Sequence, residues 1–272
     1  MVKATLRLMR TAAITLAVGY VGVLALLSYF ENRLVYHPVT AAQDWVTPTD
    51  EIEEAQFPSA DGNSIGAWWL PCPGSQRTAL YFHGNAGNLS HRLGSMKKLK
   101  NQLNCAVLIL DYPGYGKSSG SPTERGCYQA ADAGYDFLVN DQKRDPAKLL
   151  IHGGSLGGGV AIDLATRKPH YAVSVVGTFT SAPDVASKLF PWLPVRWLMR
   201  NQFRSIDKIA SLKGPIYIAH GDRDGTIPFP QGEALFEAAK EPKQFLRLKG
   251  LDHNDPLPEE YFQKARAFFT EW

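Results

Sequence analysis

Ser155, Asp224 and His253 have the residue types and the chain order that nucleophilic acyl transfer requires. A serine hydroxyl is a weak nucleophile at neutral pH, so it needs a base, and the base needs a carboxylate to orient it. Ser155 stands in Gly153-Gly154-Ser155-Leu156-Gly157, between the apolar run Leu149-Leu150-Ile151-His152 and a small-residue segment, 158–165. A strand, a turn flanked by residues without side chains, and a helix form the setting in which a G-x-S-x-G serine is exposed with helix amides facing it. The spacing alone is weak, because Gly116-Lys117-Ser118-Ser119-Gly120 repeats it. That copy is separated from its apolar run, Ala106–Leu110, by Asp111-Tyr112-Pro113-Gly114-Tyr115 and runs into Ser121-Pro122 rather than a helix. Ser155 is therefore preferred as the nucleophile.

The base and the acid should come from loops at the carboxyl ends of later strands. Two apolar runs, 216–219 and 244–248, empty into such loops: His220-Gly221-Asp222-Arg223-Asp224-Gly225 and Gly250-Leu251-Asp252-His253-Asn254-Asp255. Of the seven histidines, His37, His91 and His170 read as solvated surface residues and His152 as a buried neighbour of the elbow. His83 and His220 each open a His-Gly turn, where the ring can bond loop backbone. His253 alone follows the last strand in a polar loop, which makes it the expected base. Spacing decides poorly between Asp222 and Asp224 for the acid. Asp224 is preferred because it adjoins Gly225, farther from the strand end, whereas Asp222 can simply bond amides of its own turn. Asp252 and Asp255 lie too close to His253 in sequence to orient it from another loop. For the oxyanion, the Leu156 amide is one donor, and the small-residue loop His83-Gly84-Asn85-Ala86-Gly87-Asn88 supplies the second from Asn85.

These loops need a scaffold. The 272 residues, 44% hydrophobic and 20% charged, suit one globular domain of about 230 residues plus an appendage. Short apolar runs at 52–58, 64–70, 79–82, 106–110, 149–151, 172–176, 216–219 and 244–248 alternate, after the first two, with amphipathic segments at 90–103, 123–139, 156–167, 231–239 and 259–272. That rhythm predicts an α/β fold: a mostly parallel, doubly wound sheet of about eight strands, opened by an antiparallel hairpin around Asp61-Gly62-Asn63. The rhythm breaks at about 179–212, a lid-like insert holding Phe190-Pro191-Trp192-Leu193-Pro194-Val195-Arg196-Trp197-Leu198-Met199. Phe190, Trp192 and Trp197 could line an acyl wall or a membrane-facing flap, or could pack as ordinary core.

The appendage is N-terminal. Residues 11–30 carry no charge and as a helix would reach about 30 Å, the thickness of a bilayer core. The exit Ser28-Tyr29-Phe30-Glu31-Asn32-Arg33 lacks a small-x-small cleavage pattern, which favours an uncleaved transmembrane anchor over a signal peptide. Lys3, Arg7 and Arg10 precede the span while Glu31 and Arg33 roughly cancel, placing residues 1–10 in the cytoplasm and the hydrolytic domain, 51–272, on the non-cytoplasmic side of a linker at 31–50. A net charge of +3 gives no nucleic-acid footprint, and Cys72, Cys105 and Cys127 are too widely spaced for a metal site or a disulfide framework. Neither a metal nor a cofactor is expected.

Taken together, the His83–Asn88 loop, Asp111-Tyr112-Pro113-Gly114-Tyr115-Gly116-Lys117-Ser118, the Ser155 elbow, Thr178-Phe179-Thr180-Ser181, and His220-Gly221 with Asp224, Pro228 and His253-Asn254 resemble the α/β-hydrolase superfamily. They look like its branch of single-pass, membrane-anchored serine hydrolases that includes lysophospholipid lipases and protein depalmitoylases. The resemblance covers nearly the whole globular part. It implies an α/β-hydrolase fold and Asp224 as the triad acid; Tyr112-Pro113, where Tyr-Arg would be usual, is a departure in a structural loop. The expected activity is cleavage of carboxylic ester or thioester bonds in small-molecule acyl or lipid substrates. Peptide hydrolysis on the same fold and a non-catalytic tethered module are the alternatives. A phosphate loop at 111–118 is disfavoured, since Asp111 replaces the first glycine, Pro113 removes an amide and no helix follows.

Overall fold

The computed structural model describes residues 2–269. Among them the main sheet has eight strands: β1 (Glu53–Pro58), β2 (Ser64–Leu70), β3 (Thr78–Phe82), β4 (Ala106–Leu110), β5 (Leu149–Gly154), β6 (Ala172–Val176), β7 (Ile216–Gly221) and β8 (Lys243–Leu248). Their order across the sheet is β8-β7-β6-β5-β3-β4-β2-β1. The first two form an antiparallel hairpin, β2 runs antiparallel to β4, and the remaining pairings are parallel. Gly62, at φ 82°, supplies the positive dihedral the hairpin turn needs.

Every residue of β4 is buried, and its side chains alternate between two layers. Ala106, Leu108 and Leu110 enter one core, while Val107 and Ile109 enter the other. A period of two with no exposed face means that helices cover both sides. On the first side lie α3 (Glu124–Asp136), α4 (Leu156–Arg167) and α8 (Pro230–Ala238); on the second lie α2 (Leu93–Leu103) and α9 (Glu259–Phe268). Of the closing segment expected at 259–272, residues 270–272 lie outside those described. β5 and β7 run two or three residues beyond their apolar runs, because His152-Gly153-Gly154 and His220-Gly221 continue the parallel ladder. Cys105 and Cys127 are buried free thiols, whose burial pushes their pKa values up.

The chain order places β4 on one side of β3 and β5 on the other. Connections leaving β3 and β5 therefore diverge and open a crevice at their carboxyl ends, where a doubly wound sheet binds ligands. The loops after both strands carry the residues singled out above.

The N-terminal helix α1 (Val2–Val35) is 34 residues long and apolar enough to cross a membrane. Its first turns are exposed throughout, whereas Leu24, Leu27, Ser28 and Glu31 form a helical stripe against the globular part. Glu31 is the buried residue there: its carboxylate accepts hydrogen bonds from the Arg200 and Asn201 amides, both at 2.8 Å, and from the side chains of both residues. Beyond α1, His37–Pro38 pairs in parallel with Ala86–Gly87. The segment read as a linker is thus partly helical and tied to the sheet domain.

His152, in β5 against Tyr81, gives a pH signature. Burial lowers its pKa to about 4, while the unfolded value is near 6.5. Between these values the unfolded chain takes up a proton that the fold refuses, so stability is complete above about pH 6.5, falls as pH drops, and levels off near pH 4. The expected loss is about 3 kcal/mol, with His170 adding to it because burial lowers its pKa too. Chemical denaturation across this range should show the slope, and His152→Gln should flatten it.

Candidate active site

Ser155 joins β5 to α4 with φ 54° and ψ −123°. A side-chain-bearing residue in that region is strained by roughly 1–3 kcal/mol. The turn is over-determined by its surroundings. The Ser155 amide donates to Val176 O at 3.0 Å, and its carbonyl accepts from Gly158 N at 2.9 Å and Thr178 Oγ1 at 2.8 Å. A Cβ at Gly153 would lie 2.1 Å from Gly157 O, and one at Gly157 would lie 2.1 Å from Phe82 O. Backbone packs on backbone here, so no side chain can yield. Gly157→Ala should accordingly cost about 3 kcal/mol or more, seen as a lower urea midpoint with loss of the elbow geometry.

The Ser155 Oγ lies 3.0 Å from His253 Nε2, and His253 Nδ1 lies 2.7 Å from Asp224 Oδ2. Asp224 Oδ1 accepts from the amides of Thr226 and Ile227 at 2.9 and 2.7 Å. A carboxylate accepts only, so Nδ1 carries the proton and Nε2 presents a lone pair to the serine hydroxyl; the tautomer follows from this network. Burial alone would push the Asp224 carboxyl up, but hydrogen bonds from His220, His253 and the Ile227 amide outweigh it and hold it well below the usual carboxylate range. Asp224 is therefore ionised throughout the neutral range. Gly177 has φ 51°, a dihedral that favours glycine, and a Cβ there would lie 3.4 Å from Asp224 Oδ2 and 3.5 Å from His253 Nδ1.

Two residues in this cluster were not expected as contributors. Asp252 Oδ1 accepts from the His253 amide at 2.7 Å and the Gly225 amide at 2.8 Å, clamping the histidine loop to the acid loop. His220 Nε2 donates mainly to Ile227 O at 2.9 Å and leans on Asp224 Oδ2 at 3.4 Å. Its position four residues before Asp224 was the available signal. Asp222 instead accepts from Arg247 Nε and Gly250 N. Ser118 accepts from Gly66 N and donates to Asp111 O, bracing β2 against β4 with both bonds to backbone.

Asn85 and Leu156 flank Ser155 at one cavity. The loop bearing Asn85 packs directly on the elbow, since a Cβ at Gly84 would sit 3.5 Å from Ser155 Cβ. Its shape is held from two directions. Tyr112 and Tyr115 donate their hydroxyls to His83 O and Asn85 O at 2.8 and 2.7 Å, and the His83 ring lies 3.2 Å from Asp111 Oδ1. From the other side, His37 N donates to Asn85 O and Asn85 Nδ2 donates to Val35 O, each at 3.0 Å. The Asp111–Tyr115 stretch thus buttresses the Asn85 loop, and so does the exit of α1, which composition alone did not reveal.

The cavity measures about 730 Å³ and is predominantly apolar, with Ser28, Glu31, His37, Asn85, Ser155 and Thr226 as its polar lining. The insert forms one side: α5 (Ala182–Leu189), α6 (Val195–Leu198) and the turn between them, followed by the short α7 (Ser205–Lys208). Phe190 and Trp192 line the cavity. Trp197 departs from its expected place on that wall: Val195 is buried and Leu198 half-buried on the inner side of α6, which turns Trp197 outward, 90% exposed. The opposite wall comes from α1, through residues such as Val23, Leu27 and Val35.

An eight-stranded, mostly parallel sheet with a serine on a strained strand-to-helix turn defines an α/β-hydrolase fold. The chain belongs to the alpha/beta hydrolase family, whose model matches residues 66–268. It is 35% identical over 243 residues to an uncharacterised protein of Mycobacterium tuberculosis, covering 86% of this chain and 84% of that one. To alpha/beta hydrolase domain-containing protein 17B of Homo sapiens it is 34% identical over 224 residues, 82% of this chain and 76% of the relative. Among solved structures it is similar to an esterase of Pyrococcus furiosus, with a TM-score of 0.70 at 20% identity over 88% of this chain and 98% of that one. A puromycin-hydrolyzing peptidase of M. tuberculosis shares the fold at a TM-score of 0.66 and 19% identity, over 82% of this chain and 40% of that one.

Proposed function

We propose that this hydrolase is a membrane-anchored serine enzyme that cleaves carboxylic ester or thioester bonds of acyl substrates. The observation that carries the reading is the hydrogen-bonded series Ser155–His253–Asp224 at one end of a predominantly apolar cavity. His253 takes the serine proton as Oγ attacks the acyl carbonyl, and Asp224 stabilises the imidazolium. The Asn85 and Leu156 amides receive the oxyanion. His253 then protonates the leaving alcohol or thiol, activates a water against the acyl-serine, and returns the proton to Ser155 as the acid departs. Each step uses groups of the chain.

The apolar walls favour an acyl chain over a peptide segment, whose amides would need partners that such walls lack. Residues 11–30 of α1 serve as a single transmembrane span in this reading, with the hydrolytic domain on the non-cytoplasmic side. The test is a panel of acyl esters, thioesters, lysophospholipids and short peptides offered to the full chain in lipid nanodiscs, with Trp192→Ala alongside. Ester turnover rising with chain length, and falling for long chains by about tenfold or more in Trp192→Ala, is the expected result. Turnover of peptides alone, or equal losses at every chain length, would overturn the substrate assignment.

A further inference from the structure

α1 and the insert are joined at a definite height. Tyr20 Oη donates to Trp192 O at 3.0 Å, near the middle of the charge-free stretch 11–30. Ten residues separate Tyr20 from Phe30, or about 15 Å along a helix axis. Side chains of a helix tilt toward its N-terminus, so the Tyr20 hydroxyl lies still farther from the Phe30 end. Nearer that end, Arg200 Nη2 donates to Ser28 O and Glu31 holds the backbone of residues 200 and 201. The insert therefore runs alongside the outer half of the span instead of resting above it.

Its outward surface matches that position. Trp197, which does not line the cavity, is 90% exposed, and Leu189, Phe190 and Trp192, at the cavity rim, remain 63%, 46% and 60% exposed. Large apolar side chains clustered in this way mark a surface that meets something other than water, and here they continue the apolar flank of α1. Between the two surfaces lies the cavity, walled by Val23 and Leu27 on one side and Leu189, Phe190 and Trp192 on the other, with Ser155 at its inner end.

We infer that the insert is immersed in the outer half of the bilayer, so that the cavity opens into hydrocarbon and an acyl chain passes sideways from the leaflet, between α1 and the insert, to Ser155. The substrate class is then an acyl ester or thioester whose chain already resides in the membrane. The helix that holds the protein in the bilayer also forms half of the acyl site. This inference rests on the serine-hydrolase reading for its chemistry, but the depth of the insert does not.

Depth is measured on the full chain bearing Ser155→Ala and Cys72→Ser, in phosphatidylcholine nanodiscs, with spin labels at Leu189→Cys, Trp197→Cys, Leu16→Cys as the embedded reference, or Asp141→Cys as the aqueous reference. Labels at 189 and 197 should match the Leu16 reference, relaxed by oxygen and shielded from a water-soluble nickel chelate. Chelate access equal to that at 141 would overturn the inference, as would shielding from both reagents with label-to-label distances showing that a second copy covers the surface. A second arm uses active protein: Leu27→Trp, which narrows the α1 wall, should lower the ratio of kcat/KM for a palmitoyl ester over a butyryl ester by at least about tenfold. An unchanged ratio would remove α1 from the acyl site. If the wild-type chain hydrolyses neither esters nor thioesters, the acyl-hydrolase reading fails while the depth result still stands or falls separately.

Discussion

Ser155→Ala is expected to lower acyl-ester turnover by about 10⁶-fold while leaving stability nearly unchanged, and Ser155→Gly is expected to lose the same activity yet gain about 1 kcal/mol of stability. The two variants differ because the proposed nucleophile also carries a backbone strain. Alanine keeps the Cβ and hence the unfavourable φ of 54° and ψ of −123°. Glycine adopts such angles freely, although its looser unfolded chain returns part of the gain, about 0.4–1 kcal/mol. For a domain of this size the net effect should raise the melting midpoint by roughly 2–4 °C. Neither variant should be labelled by a fluorophosphonate that labels the wild type at Ser155. If Ser155→Ala kept appreciable turnover while Ser118→Ala lost it, the elbow assignment would be wrong. If Ser155→Gly were no more stable than Ser155→Ala, the strain would be absent in solution.

The strand and helix rhythm was readable because a parallel sheet covered on both sides produces short, wholly apolar runs, and β4 is such a run from end to end. The positions expected for Ser155 and His253 came from strand positions and chain order, whereas Asp224 was preferred over Asp222 for its place beside Gly225 and by the family resemblance. What local sequence did not carry was the pairing of distant segments. Nothing near Asn85 announces that Val35 and His37 will bond it, and nothing near Val23 or Leu27 announces that they will face the insert. An apolar helix of this length has one obvious explanation, membrane insertion, and that explanation hides a second role in walling the cavity. Trp197 illustrates the same limit at short range. Which face of the four-residue α6 turns inward is decided by what packs beneath it, not by the run of aromatics itself.

Asp224→Asn should lower turnover by about 10⁴-fold, the loss seen when a triad acid of a serine protease is replaced in this way, whereas Asp222→Asn should change it by no more than a few-fold. The reason lies in which atoms already occupy each carboxylate oxygen. In the Asp224→Asn side chain the amide oxygen would keep the Thr226 and Ile227 amides, so the new NH₂ group would face His253 Nδ1. That nitrogen must then accept, which moves the ring proton to Nε2 and turns a donor toward the Ser155 hydroxyl; the base is lost though every heavy atom stays near its place. Asp222, bonded to Arg247 and Gly250, touches neither partner. Stability adds an independent check. A carboxyl whose pKa is depressed on folding contributes stability that is fully present above the unfolded value, near 3.9, and is lost as pH falls below it. Acid unfolding of Asp224→Asn should therefore be shallower than wild type below about pH 4, on top of a lower plateau at neutral pH. Equal losses of turnover in Asp222→Asn and Asp224→Asn would mean that the acid had been assigned to the wrong residue of the loop.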